Sequence, residues 1–237
     1  MTSLLSAQES GIVLGSPLFA HINPRQLPQL LTQMQASRRR YNQGDWILNE
    51  GDPCQAFGLI LSGTVQVLRD DFMGYRSIIN NLESGDLFAE SYSLAPGRRL
   101  TVSAMAAAGE TGILFLQQDF FTDREQISRG GQDSAQVRAN LTAILATKNL
   151  FLNRKLSYLS QRSTRQKLIA YLSDQARACG SRRFEIPFNR QELADFLCVE
   201  RSALSHELAR MQQAGLLQTR RSYFELAEQL PETDSPI

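Results

Sequence analysis

The chain has 237 residues, 42% hydrophobic and 21% charged, with a formal net charge of +1. That balance suits an ordinary globular protein of one large or two smaller domains and, taken alone, points to no highly charged partner. No apolar run approaches the roughly 18 residues of a membrane span, and MTSLLSAQESGIVLGSPLF lacks the basic start and apolar core of a secretory signal.

Residues 16–36 (SPLFAHINPRQLPQLLTQMQA) place Leu27, Leu30, Leu31 and Met34 at helical spacing, with Asn23-Pro24 as N-cap and first turn. They predict one short amphipathic helix. Residues 38–117 change character. Short β-type runs alternate with glycines at 44, 51, 58, 63, 74 and 85, three of which begin a Gly-Asp pair suited to tight turns. Val65 and Val67 alternate with Gln66, and Asp70-Asp71 reads as a solvated hairpin turn. Many short strands at this spacing predict an antiparallel sandwich or barrel.

Residues 134–160 contain neither Gly nor Pro, and Val137, Leu141, Ile144, Leu145, Leu152, Leu156 and Leu159 recur every three or four positions. A helix this long has one face to bury, which a two-stranded coiled-coil dimer does economically, although Lys148 and Lys155 interrupt a strict heptad seam. Thr164 to Ala178 predicts another helix ending near Gly180. A strand-like FEIPF follows, and later GLLQTRRSYFEL suggests a strand pair before a frayed tail, QLPETDSPI.

Between these lies RQELADFLCVERSALSHEL, residues 190–208. Leu193, Ala194 and Leu197 fit one short helix, and Leu204 and Leu208 fit a second. The connection Cys198-Val199-Glu200 is too short for a loop, so the two helices must cross closely. Ala194 supplies the small residue at the crossing, and Val199 closes the corner. This is a helix-turn-helix, and its free face, with Arg201, Ser202, Ser205 and His206, can enter a DNA major groove. Glu200 is a cap or a cytosine reader. Many such motifs carry glycine at the turn; here it is Cys198, expected to be small and packed. Arg190 begins the first helix, where it can reach a phosphate. Arg220-Arg221 lies between the last two strands, where a winged helix places its wing. Residues 160–225 carry 11 basic against 7 acidic residues, compatible with a phosphate-contacting surface.

Taken together, the chain resembles the Crp/Fnr superfamily of bacterial transcription regulators over about residues 16–226. GDWILNEGD, LILSGTVQV and SGDLFAES are similar to its cyclic-nucleotide-binding-type β-roll. NRKLSYLSQRSTRQKLIAYL resembles the end of its dimerisation helix and the hinge. RQELADFLCVERSALSHELARMQQAGLL resembles its helix-turn-helix. The resemblance implies an α+β protein. A helix and a β-roll (jelly roll) sensor domain would occupy residues 1–131 and a dimerisation helix 132–160. A winged helix-turn-helix would follow at 161–228, with a tail at 229–237. It further implies a homodimer on a near-palindromic duplex DNA site, with RNA polymerase as a further partner and a β-roll signal that repositions the reading helices. The three scattered cysteines fit a reducing cytoplasm. Two departures stand out. Ser202 takes a place where family members often carry glutamate, and His206 one where arginine is common. Histidine offers a single donor or acceptor where arginine binds guanine bidentately.

The signal is less legible. Family β-rolls hold a phosphate with turn amides, a glutamate and an arginine. GDLFAESYSLAPGRRLTVSA supplies Gly85, Glu90, Ser91, Arg98 and Arg99 for a small anionic effector or a cyclic nucleotide. The family's cyclic-nucleotide binders follow this arginine with Ser or Thr and then Ala, whereas Arg98 is followed by Arg99 and Leu100. Three scattered cysteines, Cys54, Cys179 and Cys198, disfavour an iron–sulfur cluster and a disulfide framework. Cys54 follows a proline in a turn, where exposure would open it to redox chemistry; the sequence leaves that choice open. Haem would need His21, a methionine or a cysteine as axial ligand.

No GxSxG, P-loop, HExxH or Cys–His cluster is present, and two histidines leave little acid–base chemistry near neutral pH, so no enzyme is expected. The alternative is a cyclic-nucleotide-type module that regulates a protein partner without binding DNA. The basic helix-turn-helix argues against it.

Overall fold

The computed structural model describes residues 4–70, 76–97 and 99–228. Arg98, Gly74, Asp71 and the tail from 229 lie outside the described residues. The chain divides into two compact units, Met1–Ala146 and Thr147–Ile237. No helix among the described residues is long and apolar enough to cross a membrane.

The first unit opens with helix α1 (Ala7–Gly15), held by a capping box in which the Ser6 hydroxyl accepts from the Glu9 amide and the Glu9 carboxylate accepts from the Ser6 amide. Glu9 is buried, and its other oxygen lies 2.5 Å from Arg38 Nη2. Burial alone would raise its pKa, but the Ser6 bonds and the Arg38 charge outweigh this and hold it below the usual carboxylate range. Residues 16–36 are not one helix. Two 3₁₀ turns, Pro17–Phe19 and Pro24–Gln26, precede α2 (Leu27–Gln33). Prolines at 17, 24 and 28 withhold amides that a continuous helix would need. Asn23 does cap its turn, accepting from the Arg25 amide.

Six strands form the sheet of this unit: β1 (Ser37–Tyr41), β2 (Trp46–Leu48), β3 (Ala56–Asp70), β4 (Arg76–Leu82), β5 (Leu87–Phe88) and β6 (Ser103–Gln117). Helix α3 (Glu90–Leu94) lies between β5 and β6 in the chain. The sheet order is β1-β6-β3-β4, with β2 on β6 and β5 on β3, all antiparallel. The strands are not all short. β3 and β6 run 15 residues each. They stay paired while bending, through register shifts between Ile60 and Val65 and left-handed glycines at Gly63 (φ +79°) and Gly109 (φ +52°). Alternate side chains of the bent strands feed two cores. Leu59, Leu61, Leu114 and Leu116 pack with α1 and α2, whereas Ile60, Ile113 and Phe115 pack with Ile47, Val65 and Phe88 inside the roll. Both faces are thus covered, which is why GLIL and ILFL read as unbroken apolar runs.

Helices α4 (Asp119–Thr122) and α5 (Arg124–Arg129) lead into α6 (Gln132–Leu159). Early in α6, Val137 and Leu141 join the first core, and Asn140 Nδ2 donates to the carbonyls of Leu18 and Ala20.

The second unit contains the end of α6, α7 (Thr164–Cys179), β7 (Arg183–Glu185), α8 (Arg190–Phe196), α9 (Arg201–Gln213), β8 (Leu217–Arg220) and β9 (Tyr223–Leu226). Ser163 caps α7, and Gly180 ends it at φ +61°. The strands pair in the order β7-β9-β8. Leu168, Leu172, Leu193, Leu197, Leu204, Leu208 and Phe224 build the core. Beside them, Tyr158, Tyr171, Phe188 and Phe196 form one aromatic cluster, and the Tyr158 hydroxyl donates to Asp174 at 2.8 Å. On the outer side of α6, Leu152 and Leu156 are 61% and 64% exposed.

At Gly63 a Cβ would meet the Thr111 backbone at 2.9 Å, and the backbone is left-handed. Gly63→Ala is therefore expected to destabilise the first unit by at least about 2 kcal/mol, from the left-handed penalty plus overpacking. Urea unfolding followed by fluorescence of Trp46, the single tryptophan, reports on this unit alone.

Candidate nucleic-acid interface

The site begins with α8. Asn189 Oδ1 accepts from the amides of Gln191 and Glu192, and Glu192 Oε2 accepts from the Asn189 amide at 2.7 Å. This capping box fixes where the helix starts. Its end is fixed as firmly. The Val199 amide donates to Ala194 O and the Cys198 amide to Asp195 O, the paired bonds of a Schellman ending. That ending needs one left-handed residue, and Cys198 provides it at φ +50°. Lys167, on α7, donates from Nζ to Leu197 O at 3.1 Å, satisfying a carbonyl the helix leaves open. Val199 then turns back against the core.

Cys198 is exposed rather than packed inside. The left-handed backbone turns its side chain out of the corner, and Val199 fills the space instead.

Helix α9 follows at once. Leu204, Leu208 and Met211 are buried, while Arg201, Ser202, Ser205 and His206 are all exposed. Glu200 takes the N-cap position but makes no side-chain capping bond. The Glu200 side chain therefore leaves the first-turn amides uncapped, at the end of a helix that attracts anions.

Strands β8 and β9 are joined by Arg221-Ser222 alone, with Arg221 at φ +55°. Such a two-residue connection favours Gly or Asn, yet here it displays a second consecutive arginine. Arg190, Arg201 and Arg221 line one open cleft of about 680 Å³, together with Asn189, Gln191 and Ser222. Arg220 and Arg221 line a second of about 720 Å³ with Gln212, Gln218 and Tyr223. Arg190 is half-buried and faces the hairpin. Nη2 donates to Thr219 Oγ1 at 2.6 Å, and the guanidinium lies 5.0 Å from the centre of the Phe224 ring. Burial lowers its pKa from the ordinary guanidinium value.

The residues named for an effector lie in the first unit. Gly85 sits in a turn at φ +95°, and its amide donates to Ile60 O. Ala89, left-handed at φ +63°, precedes Glu90, which is buried. Ser91 is exposed. Arg99 is exposed and donates from Nη1 to Gly51 O at 2.7 Å. Nearby the hydroxyls of Tyr92 and Thr101 are 2.5 Å apart. Cys54 is buried, not exposed. Its side chain turns inward, with Sγ 3.2 Å from Ala56 O and 3.8 Å from Ala89 O. Burial, aided by the Glu90 charge, raises the thiol pKa, which suppresses the reactive thiolate.

Residues 38–127 match the family model described as Cyclic nucleotide-binding domain, and residues 166–228 match the one described as Crp-like helix-turn-helix domain. The chain belongs to the Crp/Fnr superfamily of bacterial transcription regulators. Among Crp/Fnr relatives, it is 28% identical over 203 residues to the cyclic AMP receptor protein of Thermus thermophilus, spanning 86% of this chain and 88% of that one. It is 42% identical over 53 residues to the cAMP-activated global transcriptional regulator Vfr of Pseudomonas aeruginosa, covering 22% and 25% of the two chains. The structure of the c-di-GMP responsive global regulator CLP of Xanthomonas campestris matches with a TM-score of 0.50 at 18% identity, over 87% of this chain and all of that one. That last likeness concerns the fold. As a Crp/Fnr protein, the chain is a DNA-binding transcription regulator with an α+β architecture.

Glycine at the left-handed corner would relieve a strained backbone at the cost of a more flexible unfolded chain. Cys198→Gly is expected to stabilise the second unit by about 0.5–1 kcal/mol. Slower hydrogen exchange at buried α9 amides would register the gain.

Proposed function

We propose that the protein acts as a homodimer on a near-palindromic duplex site, with one α9 helix in each major groove. The observation that carries this reading is the division of α9 into a buried face of Leu204, Leu208 and Met211 and an exposed face of Arg201, Ser202, Ser205 and His206. Those four residues read base edges, Glu200 stands at the groove entrance, and Arg220 and Arg221 meet flanking phosphates. Arg190 adds its positive charge beside them. With Ser202 and His206 on the reading face, the preferred half-site differs from one read by glutamate and arginine there.

The dimer uses residues 132–160. The exposure of Leu152 and Leu156 supports this, since a lone protein leaves few large apolar side chains in water on one helix stripe. The β-roll of residues 1–131 receives a small anionic signal at the region of Gly85, Glu90, Ser91, Arg98 and Arg99. The change reaches the winged domain of residues 161–228 through α6. RNA polymerase is the further partner, and the three free thiols support a reducing cytoplasm as the setting.

Binding to a duplex selected from a randomised library should weaken steeply with salt, because neutralised phosphates release counterions. Arg201→Ala should cost about 1–3 kcal/mol on that duplex and relax preference at one base pair. An equal loss on every sequence would reassign Arg201 to the DNA backbone. Leu152→Glu should convert the dimer to a monomer in sedimentation analysis. A charged variant that sediments as a dimer would place the interface elsewhere.

A further inference from the structure

Arg190, the first residue of α8, is joined to the β8–β9 hairpin by a relay of two hydrogen bonds. Its Nη2 donates to Thr219 Oγ1 at 2.6 Å, and the same hydroxyl donates to Tyr223 O at 2.9 Å. Thr219 and Phe224 are cross-strand partners, and the guanidinium lies over the fully buried Phe224 ring. One side chain therefore covers a complete rung of the hairpin, just beside the tip that displays Arg220 and Arg221. β7 holds the inner strand of the hairpin, pairing Glu185 with Tyr223 and setting the Ile186 amide on Ser222 O, whereas β8, which carries Arg220, is the outer strand of this sheet. The hairpin connection is two residues long, and both arginines are exposed. A planar fork can stack and donate at once, whereas a lysine ammonium cannot reproduce both contacts.

We infer that Arg190 and Thr219 form a strut that holds the basic hairpin at a fixed position relative to the helix-turn-helix, and that DNA affinity depends on Thr219 although it carries no charge. Arg190 is on this account a positioning residue, whatever contact its remaining N–H groups make. The inference rests on the DNA-binding reading above and deepens it. An outer strand free to shift pays an ordering cost each time its arginine meets phosphate; the strut on Thr219 lowers that cost before binding.

The test uses the full-length protein and a duplex that the wild type selects from a randomised library. Thr219→Val keeps the shape and charge of the surface but breaks the relay. It is expected to weaken binding about three- to tenfold, with the salt dependence of the wild type and an unchanged thermal transition. Arg190→Lys is expected to lose affinity as Arg190→Ala does, and Arg190→Ala with Thr219→Val should be less than additive. Hydrogen exchange at the amides of β8 and β9 should quicken in both single variants. If Thr219→Val binds like the wild type, or Arg190→Lys retains full affinity, Arg190 acts through its charge alone and the strut is wrong. A wild type that binds all duplexes alike, with no preferred sequence, would overturn the DNA-reading assignment and the strut together.

Discussion

The placement of α9 depends on the left-handed residue at Cys198. Helices α8 and α9 share a core through Leu193, Ala194, Leu197, Leu204 and Leu208, and that core closes only if the chain reverses within three residues. The Schellman bonds of Cys198 and Val199, with Lys167 on the adjoining carbonyls, make the reversal and leave few buried polar groups unmet. Once the corner is set, the helical period does the rest. Burying Leu204, Leu208 and Met211 obliges Arg201, Ser202, Ser205 and His206 to face water. The polar face is thus a consequence of packing, and its chemistry is free to vary without disturbing the fold.

The same backbone device recurs beside other proposed contacts. Among the described residues, His21, Gln35, Ala89, Cys198 and Arg221 are non-glycine residues with positive φ. Each of the last three stands at a corner flanking a proposed contact: Ala89 before buried Glu90, Cys198 before the reading helix, Arg221 at the hairpin tip. A designer concerned only with stability would put glycine at all three. Strain of this kind persists when the surroundings fix the conformation and the side chain is wanted for something else. At Arg221 the gain is visible, since glycine would remove a cation from both clefts. At Cys198 nothing in the structure requires the thiol.

Local chemistry explains what could be read from the sequence and what could not. The two-helix segment was legible because its period, its small crossing residue and its short connection are all local. The Ser6 to Glu9 capping box is equally local and announces α1, in a stretch whose composition speaks only to the lack of a secretory leader pattern. The 15-residue lengths of β3 and β6 were hidden, because glycines such as Gly63 read as turns. In the sheet Gly63 and Gly109 are bends within a ladder that continues past them. The inward turn of Cys54 and the outward turn of Cys198 depend on backbone angles that composition does not encode. Lys167, Thr219 and Phe224 carried no signal at all. Their roles arise from contacts 29 to 31 positions away for Lys167 and Thr219, and through a ring under Arg190 for Phe224.

The aromatic cluster joins two matters that the sequence presents separately. Phe196, on the first helix of the motif, packs against Tyr158 and Phe151 at the end of α6 and against Tyr171 on α7, and Lys155 lies over its ring. The last turns of α6 and the helix pair α8–α9 are therefore parts of one packed unit. Leu152 and Leu156 project from those same turns. In the proposed dimer, the register in which two copies meet along that stripe would set the separation of the two reading helices. Half-site spacing is then a property of α6 as much as of α9, because a major-groove pair must fall about one helical turn of DNA apart. A shift along the stripe too small to dissociate the copies would still move both reading helices out of phase with the groove.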